Sequence, residues 1–189
     1  MHRHFQGLYT FMRNPVAYSP FGATAAGGSS WYATSWSLAR YAIDRYGASD
    51  AAFLTALTSS TTRGTTNLAD RAGVSLEQLM GGWALALYAD DYPGVASPGL
   101  DIQMPTWNFR SMWTGMNSDF PGSFVAAPLV PTALTLGSFG TVGVPSVAGG
   151  GVAYFELSGT HSAKQLLKLA GSGGGAIPST LRVAIARVQ

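Results

Sequence analysis

The chain contains three histidines, His2, His4 and His161, and these are the first residues to consider for metal binding or acid–base chemistry. His2 and His4 are two positions apart, so on a strand both imidazoles would lie on one side and could share a metal ion. Two other interpretations stay open: exposed polar residues near a frayed chain end, or part of a longer helix. His161 lies in the turn-like stretch SGTHSAK, and no HExxH pattern occurs. We therefore predict that this chain binds no metal and no other cofactor.

The acidic and nucleophilic residues form no recognisable catalytic set. The glutamates are Glu77 and Glu156, and Glu77 lies in a stretch typical of a helix N-terminus. Asp90 and Asp91 are adjacent at a predicted helix end, where they would form either a solvated terminus or a pair of calcium ligands. No GxSxG pattern marks a nucleophilic serine, and the absence of cysteine excludes thiol catalysis, disulfides and cysteine-bound metal centres. We predict no catalytic residue and no enzymatic activity for this chain alone.

Composition limits the class of protein. The chain has 189 residues, which is enough for one ordinary domain or two small ones. Hydrophobic residues make up 47% and charged residues 11%, so a disordered polyampholyte is excluded. The net charge is +2 without a basic cluster, so nucleic-acid binding is not predicted. Glycine, proline, serine or threonine interrupts the apolar stretches well before ~18 residues, so no membrane-spanning helix is predicted.

The same composition bears on location. Low charge with many small polar residues is common in secreted and surface proteins, and it predicts an extracellular or cell-surface location. The first fifteen residues lack the apolar core and small-residue cleavage site of a signal peptide. If the protein is secreted, we therefore expect this chain to be a mature piece or a fragment of a longer one.

Residues 1–92 are predicted to be a helical first domain. The spacing of Phe5, Leu8, Tyr9 and Met12 predicts a helix over residues 3–13. A second helix is expected to be capped by Ser29 or Ser30 and ended by Gly47, and a short third helix to be capped by Ser49 or Asp50. A turn from Asn67 to Ala72, closed by Gly73, is expected next. The last helix is expected to begin with Ser75 and Gln78 as a capping box and to end at Asp90. Trp31, Trp36 and Trp83 fall in helical apolar patterns and are predicted to be core residues.

Residues 93–189 are predicted to be a second, β-rich domain, because glycine and proline turns recur about every ten residues. Candidate strands are residues 123–127, 133–136, 140–144, 152–156, 165–170 and 181–187. The segment with Trp107, Phe109 and Trp113 is predicted to be a loop that fills the junction between the halves or forms an exposed patch. The predicted fold class is α+β, with an N-terminal helical segment followed by a C-terminal antiparallel β-sandwich-like module.

Three runs, GSSWYATSWSLARYAIDRYG, DAAFLTAL and TNLADRAGVSLEQLMGGWALALYADD, together resemble the helical part of bacterial secreted zinc metallopeptidases of the hyicolysin-like type. The matching positions are Asp44, Arg45 and Gly47, then Phe53 and Leu54, then Asn67 and Leu68, then Trp83, Leu87, Tyr88 and Asp90. The tail stretches GGGVAYFELSG and LRVAIARVQ resemble the β-rich end of the same proteins. The resemblance covers about residues 3–189, and its motifs are structural.

The resemblance implies a catalytic apparatus that this chain lacks. In that family an HExxH helix and a downstream glutamate bind zinc, and the HExxH glutamate is the general base. Both elements would precede Met1, and Glu77 is not the missing ligand because it belongs to a capping box. We therefore expect a C-terminal portion of such a protein, whether a processed fragment, a truncated reading frame or a stand-alone relative without catalysis.

Three functions remain open from the sequence. The first is the non-catalytic C-terminal region of a secreted metallopeptidase-like protein. The second is an extracellular structural subunit that self-assembles into filaments, and the third is a surface- or carbohydrate-binding β module. For partners we expect a second copy of the chain or an upstream fragment of the same protein, contacted through residues 5–12 and the segment 107–113. Neither nucleic acid nor a membrane is expected.

Overall fold

The fold was obtained as a computed structural model, which describes residues 2–22, 28–95, 102–135, 143, 146–159 and 167–187. The helices are α1 (His2–Arg13), α2 (Ser29–Tyr46), α3 (Asp50–Thr58), α4 (Gly64–Ala72), α5 (Leu76–Ala89) and α6 (Phe109–Asp119). The strands are β1 (Thr132–Thr135) and β2 (Phe155–Ser158), and a short 3₁₀ turn covers Ser172–Gly174. The described part of the chain is therefore mainly helical.

Helices α1 and α2 form the closest helix pair. A Cβ on Gly7 would lie 2.2 Å from the backbone oxygen of Ser29 and 2.9 Å from the Cβ of Ala33, so only glycine allows this approach. The predicted face of α1 is confirmed, since Leu8 and Met12 are buried. These side chains pack inside the chain itself, so the expected use of residues 5–12 as an exposed partner contact is not supported.

The ends of the next three helices follow local rules. The Ser49 hydroxyl accepts the Ala52 N–H at 3.2 Å, and the Ser75 hydroxyl accepts the Gln78 N–H at 3.2 Å, which confirms both predicted N-caps. Gly73 ends α4 with φ +68°, a conformation that favours glycine. Asn67 is not a cap as predicted, because α4 already begins at Gly64 and the Asn67 amide donates to the Leu57 carbonyl.

Two predictions about α2 are wrong in detail. Its N-cap is Gly28, which offers no side-chain acceptor, rather than Ser29 or Ser30. Gly47 does end the helix, but in an extended conformation at φ −81° rather than in the left-handed one. Glycine is needed there for space, since a Cβ would lie 2.7 Å from the Ile43 backbone oxygen.

The core joins the helices of both halves of the sequence. Trp83 on α5 is fully buried, as predicted, and stacks on Phe11 of α1 with ring centroids 5.6 Å apart. Its indole N–H donates to the Ser37 hydroxyl on α2 at 3.2 Å. Trp31 and Trp36 are only half-buried, and Trp36 packs against the core from its edge.

The predicted loop around Trp113 is instead helix α6. Asn108 caps it, because its Oδ1 accepts the Ser111 N–H at 2.8 Å. Phe109 and Trp113 are 1% and 2% exposed, so they belong to the core and form no exposed patch. The Trp113 indole N–H points at the Met12 sulfur, 3.0 Å away, which ties α6 to α1.

The predicted antiparallel β-sandwich is wrong. Strands β1 and β2 pair in parallel, with Thr132 opposite Phe155 and Thr135 opposite Ser158. A parallel pair cannot form a hairpin and needs a long crossover connection between its strands. The candidate strands at 133–136 and 152–156 overlap β1 and β2 only in part.

The remaining candidate strands either are not strands or lie partly outside the described residues. Residues 123–127 and 181–187 are described and belong to no strand ladder. Most of residues 140–144 and the first two of residues 165–170 lie outside the described residues, and Leu167, Lys168, Leu169 and Ala170 are not in a strand.

Candidate functional site

The densest polar cluster lies where α5 ends against the segment that leads into α6. We call residues 102–108 the linking segment. Its Thr106 donates from the backbone N–H at 3.2 Å and from the hydroxyl at 2.6 Å to the Asp44 carboxylate on α2. Its Asn108 donates a side-chain hydrogen bond to the Asp91 carboxylate. Asp44 on α2 and Asp91, which follows the end of α5, therefore hold the linking segment in place.

Arg110, on the first turn of α6, closes the C-terminal end of α5. Its Nη2 donates to the Tyr88 carbonyl at 2.6 Å, and its Nε donates to the Asp90 carbonyl at 3.4 Å. The guanidinium also lies 4.8 Å from the ring centre of Tyr92. A cation at this position satisfies carbonyls that have no helical partner and opposes the negative end of the helix dipole, so Arg110 acts as a structural cap.

Asp90 is buried at the same helix end. It is 7% exposed, and its Oδ2 has no hydrogen-bond partner. Burial raises the pKa of Asp90 to about 6, and the neighbouring Asp91 adds to the shift. The expectation of a solvated terminus is therefore wrong for Asp90.

A second ion-pair network fixes the outer side of α2. Arg40 makes two hydrogen bonds to Asp50, at 2.7 and 2.8 Å, and contacts Asp44 at 2.6 Å. The Arg40 bond lowers the pKa of Asp50. Asp44 is thus shared between Arg40 and Thr106.

The residues first considered for chemistry are not brought together. His4 packs against Trp36 at 5.8 Å between ring centres, and its Nδ1 is buried without a partner. The side chain of His2 and all of His161 lie outside what the structure describes. Glu77 lies within 3.7 Å of Arg182 at the start of α5, whereas Glu156 accepts from the Tyr88 hydroxyl at 3.4 Å.

Within the described residues, no group of three or more histidine, aspartate or glutamate side chains is placed to hold a metal ion. The pairing of Asp91 with Asn108 and the burial of Asp90 also give no support to the calcium alternative.

The sequence indicated this helix end as a candidate site. The residues that complete the cluster, Thr106, Asn108 and Arg110, were missed because they lie in a segment predicted to be a loop.

The second feature is a set of exposed apolar residues that follow α6 in the chain. We call this set the C-terminal apolar surface. Its members are the exposed large hydrophobic residues Phe120, Val125, Val130, Leu157, Leu167, Leu169, Ile177, Leu181, Val183 and Ile185. The chain before it carries few such residues, since only Phe21, Tyr32 and Leu54 share this exposure among the described residues there. Concentrations of exposed apolar side chains of this kind mark interaction surfaces.

Residues 181–187 show how part of this surface arises. Arg182 faces Glu77 at the start of α5, and the Cβ of Ala184 lies 3.5 Å from where a Cβ on Gly81 would be. The intervening Val183 and the following Ile185 are 53% and 74% exposed. Residues 181–185 are all exposed, so this stretch lies on the surface near α5 with its large apolar side chains uncovered.

No family model matches this sequence, and neither a curated protein nor a solved structure is similar to it. Within the described residues, no helix is both long and apolar enough to cross a membrane.

Proposed function

We propose that this chain is a non-catalytic region of a secreted, metallopeptidase-like protein, and that its C-terminal apolar surface docks against another part of that protein outside the cell or at its surface. The observation that carries the proposal is the outward-facing apolar row of Leu181, Val183 and Ile185 on a helical support. The sequence resemblance supports the class of protein. Among the described residues the acidic side chains form no metal-binding group, which supports the non-catalytic role.

Covering the exposed row of Leu181, Val183 and Ile185 would contribute appreciably to the free energy of binding. Complete burial of a valine, leucine or isoleucine side chain stabilises by about 1.5–3 kcal/mol. Covering the exposed fractions of Leu181, Val183 and Ile185, which are 41%, 53% and 74%, would therefore contribute about 3 kcal/mol. This corresponds to about a hundredfold in a binding constant, before the entropy cost of association.

The first test concerns the surface itself. The double variant Val183→Ser, Ile185→Ser should change the free energy of unfolding of the isolated chain by less than about 0.5 kcal/mol, because both side chains are exposed. Leu79→Ser, on the buried face of α5, is the matched control and should cost several times more. A loss as large as the control's in the double variant would show that the row is packed within the chain, and the docking proposal would fail.

The second test concerns catalysis. The purified chain, supplied with zinc, should not hydrolyse a general protein substrate such as casein above the rate of a denatured sample. Zinc-dependent hydrolysis that is removed by a chelator would overturn the non-catalytic assignment.

A self-assembling structural subunit is the second candidate. It is favoured by the exposure of Val183 and Ile185, which a second copy of the chain would cover. Sedimentation of the chain over a range of concentrations separates the candidates. Association that the double variant weakens at least ~tenfold supports self-assembly, whereas a monomer at every concentration leaves only docking to a different segment.

The carbohydrate-binding alternative receives little support. It requires a row of exposed aromatic rings on the C-terminal half, and within the described residues after α6 only Phe120 is an exposed aromatic residue.

A further inference from the structure

Residues 177–187 form a surface stretch that belongs to no helix and no strand, and all of them except Ala186 are exposed. One backbone hydrogen bond, from the Leu181 N–H to the Pro178 carbonyl at 3.0 Å, closes a turn at the start of the stretch. Within the described residues, no backbone hydrogen bond joins residues 182–187 to another part of the chain. The backbone on both sides of Arg182 is therefore accessible to a second molecule.

Few contacts hold this stretch against the helices. Arg182 lies 3.7 Å from Glu77 at the start of α5, and both side chains are more than half exposed. Exposed ion pairs of this kind contribute little to stability. The other two hydrogen bonds of the Arg182 guanidinium go to the carbonyls of Ser179 and Leu181, inside the same stretch. The stretch can therefore leave α5 without breaking a backbone hydrogen bond to the described helices.

These properties are the ones that an endopeptidase requires of its substrate. Susceptibility of a native protein to cleavage is decided by the burial and hydrogen bonding of the backbone concerned. An extended peptide with unpaired backbone groups can be bound as an added strand, with pockets for its side chains. An arginine side chain is recognised in such a pocket by a carboxylate, which accepts two hydrogen bonds from the guanidinium.

Arg182 meets these conditions better than the other arginines of the chain. Helical arginines are excluded because their backbone groups bond within the helix, and these are Arg3, Arg13, Arg40, Arg45, Arg71 and Arg110. Arg63 is exposed, but it is the N-cap of α4 and only four residues separate it from the end of α3. Arg187 is the last described residue, so the structure does not describe the chain that follows it.

We propose that the Arg182–Val183 peptide bond is a processing site for an endopeptidase that cuts after arginine. Water adds across this bond: the C–N bond breaks, Arg182 gains a carboxylate and Val183 gains a free amino group, without oxidation or reduction. The larger product keeps helices α1 to α6, whereas Val183 and Ile185 leave with the released peptide. Cleavage thus removes two members of the C-terminal apolar surface, and the reaction itself does not depend on the docking proposed above.

Limited digestion of the folded, complete chain by an arginine-specific endopeptidase, followed by intact-mass measurement, tests the proposal. Two proteins are compared, and both carry Arg187→Lys so that only one arginine of the stretch can be cut. In the first protein, the bond after Arg182 should be cut before the bond after Arg63, and the far-ultraviolet circular dichroism should stay unchanged. The second protein also carries Arg182→Lys, which keeps the positive charge near Glu77 and should slow release of the peptide at least about tenfold.

Cleavage after Arg63 that is as fast as cleavage after Arg182 would overturn the proposal, because the stretch would then be no more accessible than a short loop between helices. Equal rates of peptide release from the two proteins would also overturn it. A third contrary result is loss of the helical signal when the bond after Arg182 is cut, since residues 183–189 would then be needed by the helical core.

Discussion

Replacing Trp83 by alanine is expected to be among the most damaging single changes in the helical core. Trp83 is fully buried on α5 and stacks on Phe11 of α1. Truncation of a buried tryptophan leaves a cavity and typically costs ~3–5 kcal/mol. A domain of this size has a total stability of about 5–15 kcal/mol, so Trp83→Ala should remove a large part of it.

A graded variant separates packing from hydrogen bonding. Trp83→Phe keeps most of the ring contact but loses the donor to Ser37, whose hydroxyl is buried and still donates to the Thr34 carbonyl at 2.9 Å. Because Ser37 keeps one partner, the loss of this hydrogen bond should add only about 1 kcal/mol to the cost of the smaller ring. We therefore expect Trp83→Phe to lie well between the wild type and Trp83→Ala.

The assay is urea denaturation followed by far-ultraviolet circular dichroism, since the substitution removes a fluorophore. Tyr32→Ala is the control, because Tyr32 is 58% exposed and its loss should change the free energy of unfolding by about 0.5 kcal/mol or less. If Trp83→Ala costs less than ~1 kcal/mol, or no more than Tyr32→Ala, Trp83 is not in the core and the packing of α1 on α5 described above is incorrect.

Two further predictions concern helix packing and metals. Gly7→Ala should destabilise the chain by about 1–3 kcal/mol, because the added methyl would meet the Ser29 backbone oxygen 2.2 Å away. The control Gly115→Ala, in α6 with nothing within 4 Å of the new Cβ, should instead stabilise the chain by about 0.5–1 kcal/mol. Equal effects of the two substitutions on the free energy of unfolding in chemical denaturation would contradict the close α1–α2 contact. Dialysis against a chelator should leave the thermal unfolding midpoint unchanged and release no stoichiometric zinc from protein made without a histidine tag; one tightly bound zinc per chain, lost on substituting His2 and His4, would show that the sequence interpretation is wrong.

The sequence predicted the helix ends that depend only on neighbouring residues. The Ser49 and Ser75 caps require only a serine three residues before a free backbone N–H, and both were predicted. The same signal was present for α6, where Asn108 caps a run with Phe109 and Trp113 on its buried face. It was missed because Pro105 and the dense aromatics favoured an irregular segment.

What could not be predicted depends on contacts between distant residues. Glycine and proline spacing indicates where the chain turns, but the pairing of Thr132 with Phe155 depends on how the intervening crossover closes. The surroundings of Asp90 likewise depend on a distant residue, since Arg110 returns to the end of α5. Since a carboxylate beside another carboxylate is ordinarily exposed, the sequence alone favoured a solvated pair.

The packing of helix α1 is completed by residues that are synthesised about a hundred positions later. The Trp113 indole N–H contacts the Met12 sulfur, and the Val125 N–H donates to the Tyr9 hydroxyl. A ribosome adds about 5–20 residues per second, so roughly 5–20 s separate the synthesis of Met12 from that of Trp113. During this interval the first helices emerge with an unfinished apolar face, and such partly built cores are prone to aggregate. The yield of folded protein should therefore respond to translation speed and to chaperones that protect nascent chains, even in variants whose finished stability is unchanged.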